Sequence, residues 1–416
     1  VIALLDLLRD IEAITATPGR GCTRLAYTHH EDAAHDLIWE RLERPGLSRL
    51  HDAAGNTFIV PARATRGDPV LLVGSHLDTV LEGGRLDGAL GVVVGAYVVD
   101  RLFERPEGMA VGLVVFRDEE GVRFRTGLFG SKVFAGLCTE RDLEATDADG
   151  IRVGDVVPDA AGCLAYKAPV KVAAYLESHI EQGIRLVERN RRIAIVTGMV
   201  GIRRLELVGE GVANHAGTTE MHRRVDALVA VAAAVARLPA LVDGLADTVI
   251  TCGQISAEPG APNIVPGVAR ALIEIRAPDT ARLDEVERRL RALLDDVTPP
   301  TEATRLATLK LGALTEVPPT ATDTALGEVL AGVLEERKLP FERLSSMAGH
   351  DAQHAARVTR SSMFFIPSLD GISHSPRESS RDEDITLAGD IMSAWAERCS
   401  DAGKAKRKTL RGESDG

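Results

Sequence analysis

The chain has 416 residues, 45% hydrophobic and 26% charged, with 39 Gly and 19 Pro scattered along it, which excludes collagen-like, coiled-coil and wholly disordered chains. Its 49 Lys and Arg against 61 Asp and Glu leave a formal charge of −12, which argues against nucleic acid or an anionic membrane as the main partner. No apolar run approaches the roughly 18 residues of a membrane helix, and the first residues lack a basic leader and a small-residue cleavage site, so the expected place is the cytoplasm. Five scattered cysteines without a C-x-x-C pair read as reduced thiols.

In chain order, Ile2, Leu5, Leu8 and Ile11 keep a helical spacing, and Asp32–Leu42 does so again. Asp52–Asn56 is a turn. Val70–Gly74, Val111–Phe116 and Val172–Leu176 read as buried strands alternating with helices over Gly88–Leu102 and Gly130–Gly136. That alternation predicts an α/β domain with a largely parallel sheet flanked by helices. After Gly201 the pattern changes. Arg203–Val208, Thr248–Cys252 and Val268–Arg276 read as strands, and Arg224–Leu238 and Ala281–Leu294 as helices. This is a smaller α+β domain inserted into the larger one. Val297–Thr301 and the stretch to Pro319 lead back to a helix (Thr322–Arg337), a strand (Met363–Pro367) and a last helix (Ile385–Arg398). The expected boundaries are 1–201 and 318–402 for the larger domain, 202–317 for the insert, and 403–416 for a disordered basic tail.

Five polar clusters follow the strands. His76 and Asp78 lie just beyond the first buried strand, where open α/β sheets bind ligands. His76 has the chemistry of a metal ligand and Asp78 that of its orienting partner. Asp87 reads alone as a helix N-cap. Asp118-Glu119-Glu120 reads alone as a solvated strand cap. Adjacent carboxylates also suit two jobs, one acid on a cation and the other moving a proton. Glu177-Ser-His179-Ile-Glu181-Gln182, Gly349-His350-Asp351 and Ser373-His374 complete the set. The donors are nitrogen and oxygen only, which suits zinc, manganese or cobalt in an open site. Two ions would need a shared carboxylate, and Asp87 is the natural bridge.

In this order the clusters resemble the hydantoinase/carbamoylase family of binuclear metal amidohydrolases, over nearly the whole chain from Gly21 to Asp384. The resemblance implies that His76, Asp87 and His179 hold one cation, and that Asp87, Glu120 and His374 hold the other. Glu119 would be the general base, with Asp78 orienting His76. His179 stands where peptidase-type relatives carry a carboxylate. Gln182 and His350 would touch the substrate. In the insert, Gly209–Met221 resembles a lid segment whose histidine, here His215, stabilises the tetrahedral intermediate. Asn263 and Arg276 resemble the residues that bind a substrate carboxylate, a task that suits the planar guanidinium. Several positions depart from the pattern: Glu220 for a proline, Arg117-Asp118 for an asparagine, Ser346-Met-Ala-Gly349 ahead of His350, and Thr28-His-His-Glu near the start. None removes a ligand.

The implied activity is metal-dependent hydrolysis of the ureido C–N bond of N-carbamoyl-L-amino acids, giving amino acid, carbon dioxide and ammonia. The implied subunit holds two divalent ions, and the enzyme is a homodimer through its inserted lid domain. Allantoate or ureidoglycolate hydrolysis needs the same residues. An N-acyl-amino acid hydrolase or dipeptidase is disfavoured by His179, and an inactive binding protein by the presence of Glu119.

Overall fold

The computed structural model describes residues 2–105, 108–165, 167–296 and 307–411, the side chains of the last ten excepted. Two compact units are present, Val1–Thr197 with Ala321–Gly416, and Gly198–Thr320. The strands in chain order are β1 (Leu47–His51), β2 (Thr57–Pro61), β3 (Val70–His76), β4 (Ala110–Phe116), β5 (Val172–Ile180), β6 (Ile193–Met199), β7 (Gly201–Glu210) and β8 (Asn214–His215). They continue as β9 (Val249–Glu258), β10 (Ile264–Val265), β11 (Val268–Ala277), β12 (Thr308–Val317), β13 (Thr320–Ala321), β14 (Phe341–Ser346) and β15 (Arg360–Ile366).

The first unit is built on a nine-stranded sheet in the order β1-β2-β4-β3-β5-β15-β6-β13, with β14 also paired to β6. Its centre, β4-β3-β5-β15, is parallel, and β1, β2 and β6 join antiparallel. Every residue of β3 and β4 is buried, as strands covered on both faces require. One face packs against helices Leu4–Glu12, Ala89–Leu102, Thr324–Glu336 and Asp382–Arg411 through Leu8, Ile11, Val93, Leu330 and Trp395. Trp395 is wholly buried there and satisfies its indole by donating to the Leu326 carbonyl at 2.9 Å. The helix Ala89–Leu102 lies so close to the sheet that a Cβ at Gly91 would sit 2.5 Å from the Ser178 carbonyl oxygen.

The parallel centre fixes where the chemistry goes. β3 pairs in register with β4 as His76 against Phe116, and β5 with β15 as His179 against Phe365. The carboxyl ends of four strands therefore fall on one edge.

The second unit is a four-stranded antiparallel sheet, β12-β7-β11-β9, plus the short pair β8 and β10. Alternation buries Ala269, Ala271, Ile273 and Ile275 of β11 with Leu205 and Leu207 of β7 against helices Ala227–Val235 and Thr280–Asp295. β12 belongs to this sheet, although its sequence reads as a connecting stretch. As an edge strand it has no buried residue, so it carries no apolar alternation to read. The Pro-containing segment 297–301 lies outside the described residues. The last helix continues to Arg411, whereas the sequence reading ends it at Arg398 and frees 403–416. Lys, Ala and Arg are strong helix formers, and the apolar periodicity that marks a helix stops before the helix does. Residues 412–416 are outside the described chain.

The turn between β1 and β2 ties the sheet edge to the site. Asp52 Oδ1 accepts from the Ala54 and Asn56 amides, and its Oδ2 from Asn56 Nδ2 at 2.7 Å. Asn56 then accepts from the Arg117 amide at 2.9 Å and donates to the Gly130 carbonyl. Burial raises the Asp52 pKa to about 6 against the pull of these hydrogen bonds. The folded chain thus keeps a proton that the unfolded chain releases near the ordinary value, and folding is penalised as pH rises between the two. Relative to Asp52→Asn, the native chain is expected to lose up to about 3 kcal/mol between pH 4 and 7. Urea unfolding of both proteins across that range checks this, and equal slopes would contradict it.

Candidate metal centre and catalytic residues

At the edge where β3, β4, β5 and β15 end, two groups of donors come together: His76, Asp87 and His179, and Asp87, Glu120 and His374, with all ligand atoms of a group within 4.8 Å of one another. Asp87 divides its carboxylate between them. Its Oδ1 lies 3.7 Å from His76 Nε2 and 3.2 Å from His179 Nε2. Its Oδ2 lies 3.3 Å from His374 Nε2, which is 3.4 Å from Glu120 Oε2. The far nitrogens are already engaged, His76 Nδ1 with the Asp78 carbonyl at 3.1 Å and His179 Nδ1 with the Ile180 carbonyl at 2.9 Å. Donation there would leave each Nε2 on the side of Asp87, where the Gly88 amide also donates to His179 Nε2 at 3.2 Å. Gly88, at φ +65, caps the following helix, and a Cβ on it would fall 2.4 Å from the His76 ring. Asp87 is therefore not the N-cap.

The acidic turn after β4 is held by Asp78. The Asp78 carboxylate accepts from the Glu119 amide and from the Glu120 amide, both at 3.0 Å, while its Oδ1 also lies 3.5 Å from His76 Nδ1. One residue thus sets both the imidazole and the backbone of the two acids. Asp118 takes a left-handed conformation at φ 53 to turn the chain, a position that needs support in a non-glycine residue. Thr126 Oγ1 donates to its side chain and the Phe129 amide to its carbonyl. Glu119 belongs to neither donor group, and its Oε2 lies 3.6 Å from His76 Nε2. Burial lifts the Glu119 carboxyl well above the usual range, and burial together with Asp87 lifts Glu120 to about 8.

Gln182 and His350 do not face open space in this structure. Gln182 donates from Nε2 to Asp87 Oδ2 at 2.8 Å, and its Oε1 is buried without a partner. His350 is buried with its Nε2 2.8 Å from Ser346 Oγ, and its ring stands edge-on to His179 at 4.6 Å.

In the second unit, His215 and Asn263 meet at the β8–β10 pair, where Ile264 is opposite His215 and the Ala216 amide donates to the Asn263 carbonyl. Both side chains are exposed. Arg276 sits near the far end of β11, with its Nε 2.8 Å from Glu274 Oε1.

Sequence reasoning missed the supports. Glu378 accepts from the Leu86 and Asp87 amides at 2.8 and 3.1 Å, and Ser373 Oγ lies 2.9 Å from both Glu378 Oε2 and Asp87 Oδ2. Arg117, noticed only as a departure, pairs with Glu31 at 2.5 Å and Asp32 at 2.8 Å, donates to the Gly55 carbonyl and lies over the Tyr27 ring. It anchors the acidic turn to the helix His29–Leu42. The signal for Arg117 was present as a paired departure, an arginine after β4 and Glu31 in the altered Thr28-His-His-Glu stretch.

The chain belongs to peptidase family M20/M25/M40, whose profile matches residues 72–398. Within it the chain is a hydantoinase/carbamoylase-type amidohydrolase, an enzyme that hydrolyses amide C–N bonds. It is 33% identical over 400 residues to an N-carbamoyl-L-amino acid amidohydrolase of Geobacillus stearothermophilus, covering 94% of this chain and 96% of that one. It is 31% identical to an allantoate amidohydrolase of Bacillus subtilis, with 90% and 92% covered. A crystal structure of a hydantoinase/carbamoylase family amidase from Burkholderia multivorans superposes with a TM-score of 0.84 at 31% identity, over 96% of this chain and 97% of that one.

The Glu378 clamp is open to a test that needs no substrate. Glu378→Ala removes the acceptor of two buried amides, so their exchange with deuterium should speed up and unfolding should cost about 1–3 kcal/mol less. Unchanged protection of Leu86 and Asp87 would mean that the clamp holds nothing.

Proposed function

We propose that this chain hydrolyses the ureido C–N bond of an N-carbamoyl-L-amino acid, using two divalent cations held by His76, Asp87 and His179 and by Asp87, Glu120 and His374. The observation that carries this reading is the divided carboxylate of Asp87, one oxygen towards each donor group, with Glu119 left over beside them. The donor set fits such ions. With Nδ1 engaged by a carbonyl, the His76 and His179 imidazoles would offer Nε2 to a cation, and Glu120 Oε1 is buried without a partner. Nitrogen and oxygen donors without thiolate favour zinc, manganese or cobalt.

Bound there, the cations supply charge that polarises the scissile carbonyl and lowers the pKa of the attacking water from about 15.7 towards neutrality. Glu119 takes the proton of that water and delivers it to the leaving nitrogen. Gln182 and Ser373 hold Asp87, and Asp78 keeps the Glu119 and Glu120 backbone in place. His215 donates from Nε2 to the developing oxyanion, a contribution worth about 10²–10³ in rate. Arg276, oriented by Glu274, pairs with the substrate carboxylate, and Asn263 binds beside it. The products are the amino acid, carbon dioxide and ammonia. Allantoate is the competing substrate, favoured by the 31% identity to the Bacillus subtilis enzyme, and it asks the same of every residue named. With five free cysteines and no described helix long and apolar enough to cross a membrane, we place the enzyme in the cytoplasm.

Ammonia release after chelation and reloading with manganese, cobalt or zinc tests this reading. N-carbamoyl-L-amino acids, allantoate and N-acetyl-L-amino acids are compared. Metal-dependent ammonia from the first, lost by at least about 10²-fold in Glu119→Gln, is the expected result. Ammonia from allantoate alone would shift the substrate, and amino acid from the acetylated set without ammonia would overturn the ureido reading.

The second unit also supports a homodimer. Arg276 lies eight residues along β11 from Val268, where the strand leads off to β10, and at about 3.3 Å per residue that is roughly 26 Å. That span, set against a small substrate, supports a reading in which Arg276 and His215 act from different copies. β9 offers the contact, an edge strand uncharged from Val249 to Ala257 with Val249 and Ile255 44% and 46% exposed. Mixing His215→Asn with Arg276→Ala, each inactive alone, should restore up to about a quarter of native activity, because half the sites in a mixed dimer are intact. No recovery after confirmed subunit exchange would place both residues in one copy's site.

A further inference from the structure

The loop that carries His215 is bonded in a way that its proposed role does not by itself require. Both the Gly217 and Thr218 amides donate to His215 Nδ1, at 3.0 and 3.2 Å. A ring nitrogen that accepts two N–H groups carries no hydrogen, so the proton of the imidazole sits on Nε2. The loop returns on itself to make this possible. The Thr219 amide and Thr219 Oγ1 donate to the His215 carbonyl at 3.1 and 2.7 Å. Gly217 is close enough that a Cβ there would stand 3.2 Å from His215 Cε1.

One side chain spans the whole turn. Arg224 donates from Nε to the Thr219 carbonyl at 3.0 Å and from Nη2 to the Ala216 carbonyl. The Ala216 carbonyl and the Gly217 amide belong to one planar peptide unit, so the Nη2 bond fixes the direction of the Gly217 N–H, while the Nε bond to the Thr219 carbonyl pins the far end of the turn that presents the Thr218 N–H to Nδ1. Arg224 is half-buried, and its own position is set by its amide, which donates to the Met221 carbonyl, and by the Val212-to-Val225 backbone bond that follows it. Glu220, the residue that departs from the resemblance, faces away to His222 and Arg223.

We propose that Arg224 is a positioning residue that holds His215 in the Nε2–H tautomer, so that the ring presents a fixed hydrogen-bond donor and never an acceptor. The inference rests on the reading of His215 as the oxyanion donor, but its test is separable from it. Without the fork, the Gly217 amide is free to turn away and the turn that presents the Thr218 amide loosens, Nδ1 competes for the proton, and a fraction of molecules offer a lone pair where a donor is needed.

The test uses the full-length, metal-loaded protein labelled with carbon-13 at histidine Cδ2, whose shift distinguishes the tautomers, with the His215 signal assigned by its loss in His215→Asn. In Arg224→Gln the signal should move from pure Nε2–H towards a mixture. In the same variant kcat should fall about tenfold or more while KM and metal content stay within about twofold, the pattern of a lost transition-state contact. Arg224→Lys, which reaches only one of the two carbonyls, should fall between, and it serves if the glutamine variant does not fold. An unshifted Nε2–H signal in both variants overturns the proposal whatever the kinetics. A shifted signal with unchanged kcat overturns its catalytic half. His215→Asn kinetics are read separately, and an unaffected rate there would instead remove His215 from the proposed mechanism.

Discussion

Burying a carboxylate costs several kcal/mol unless its oxygens find partners, and Asp87 has to satisfy two oxygens at the bottom of a crowded edge. Three imidazoles, an amide side chain and a hydroxyl converge on it. Burial works against its charge, but the imidazoles of His179 and His374 beside it outweigh that and hold the group well below the usual carboxylate range. His76 shows the converse balance, with burial opposed and overcome by Glu119 and Asp78. Ser373, one of the residues on Asp87, comes from 286 positions away in the chain, and the parallel sheet delivers such distant stretches to one edge.

That requirement explains much of the first unit. The helix Ala89–Leu102 must lie close on β3 and β5, which Gly91 permits, because its first turn carries Gly88 against His76. Asp78 and Glu378 then act as clamps of the same kind, each a carboxylate accepting two successive backbone amides, Glu119 with Glu120 and Leu86 with Asp87. Charge-assisted bonds of this type are short and directional, and they fix loops that regular structure would leave free. Behind the acidic turn, Arg117 with Glu31 and Tyr27 gives it a rigid base on the helix His29–Leu42. The second unit repeats the logic with an arginine in place of a carboxylate, a fork across two carbonyls at the His215 loop.

Buried parallel strands were legible in the sequence because Val70–Gly74 and Val111–Phe116 are continuous apolar runs, and the chemistry-bearing residues were legible because polar clusters interrupt the chain directly after them. β12 was not, since an edge strand without a buried residue leaves no alternation. Ser373 stands beside His374 and Glu378 four residues after it, but neither shows a task in the sequence, because their partners, Leu86 and Asp87, lie almost 300 residues earlier. Gln182 reads in sequence as a substrate contact, whereas here its amide is spent on Asp87. A side chain with several donors and acceptors in reach does not announce which it will choose.

The sequence by itself determined the layered α/β class and the order of the polar clusters, because apolar period and residue chemistry are local properties, while the donor set came from the resemblance those clusters carry. Only the tertiary structure decided that Asp87 turns one oxygen to each donor group, that Asp78 holds the backbone of both acids as well as His76, and that two amides fix the proton of His215. Each of these depends on the direction of a lone pair or an N–H bond, and directions are set by how distant segments pack, not by which residues they contain.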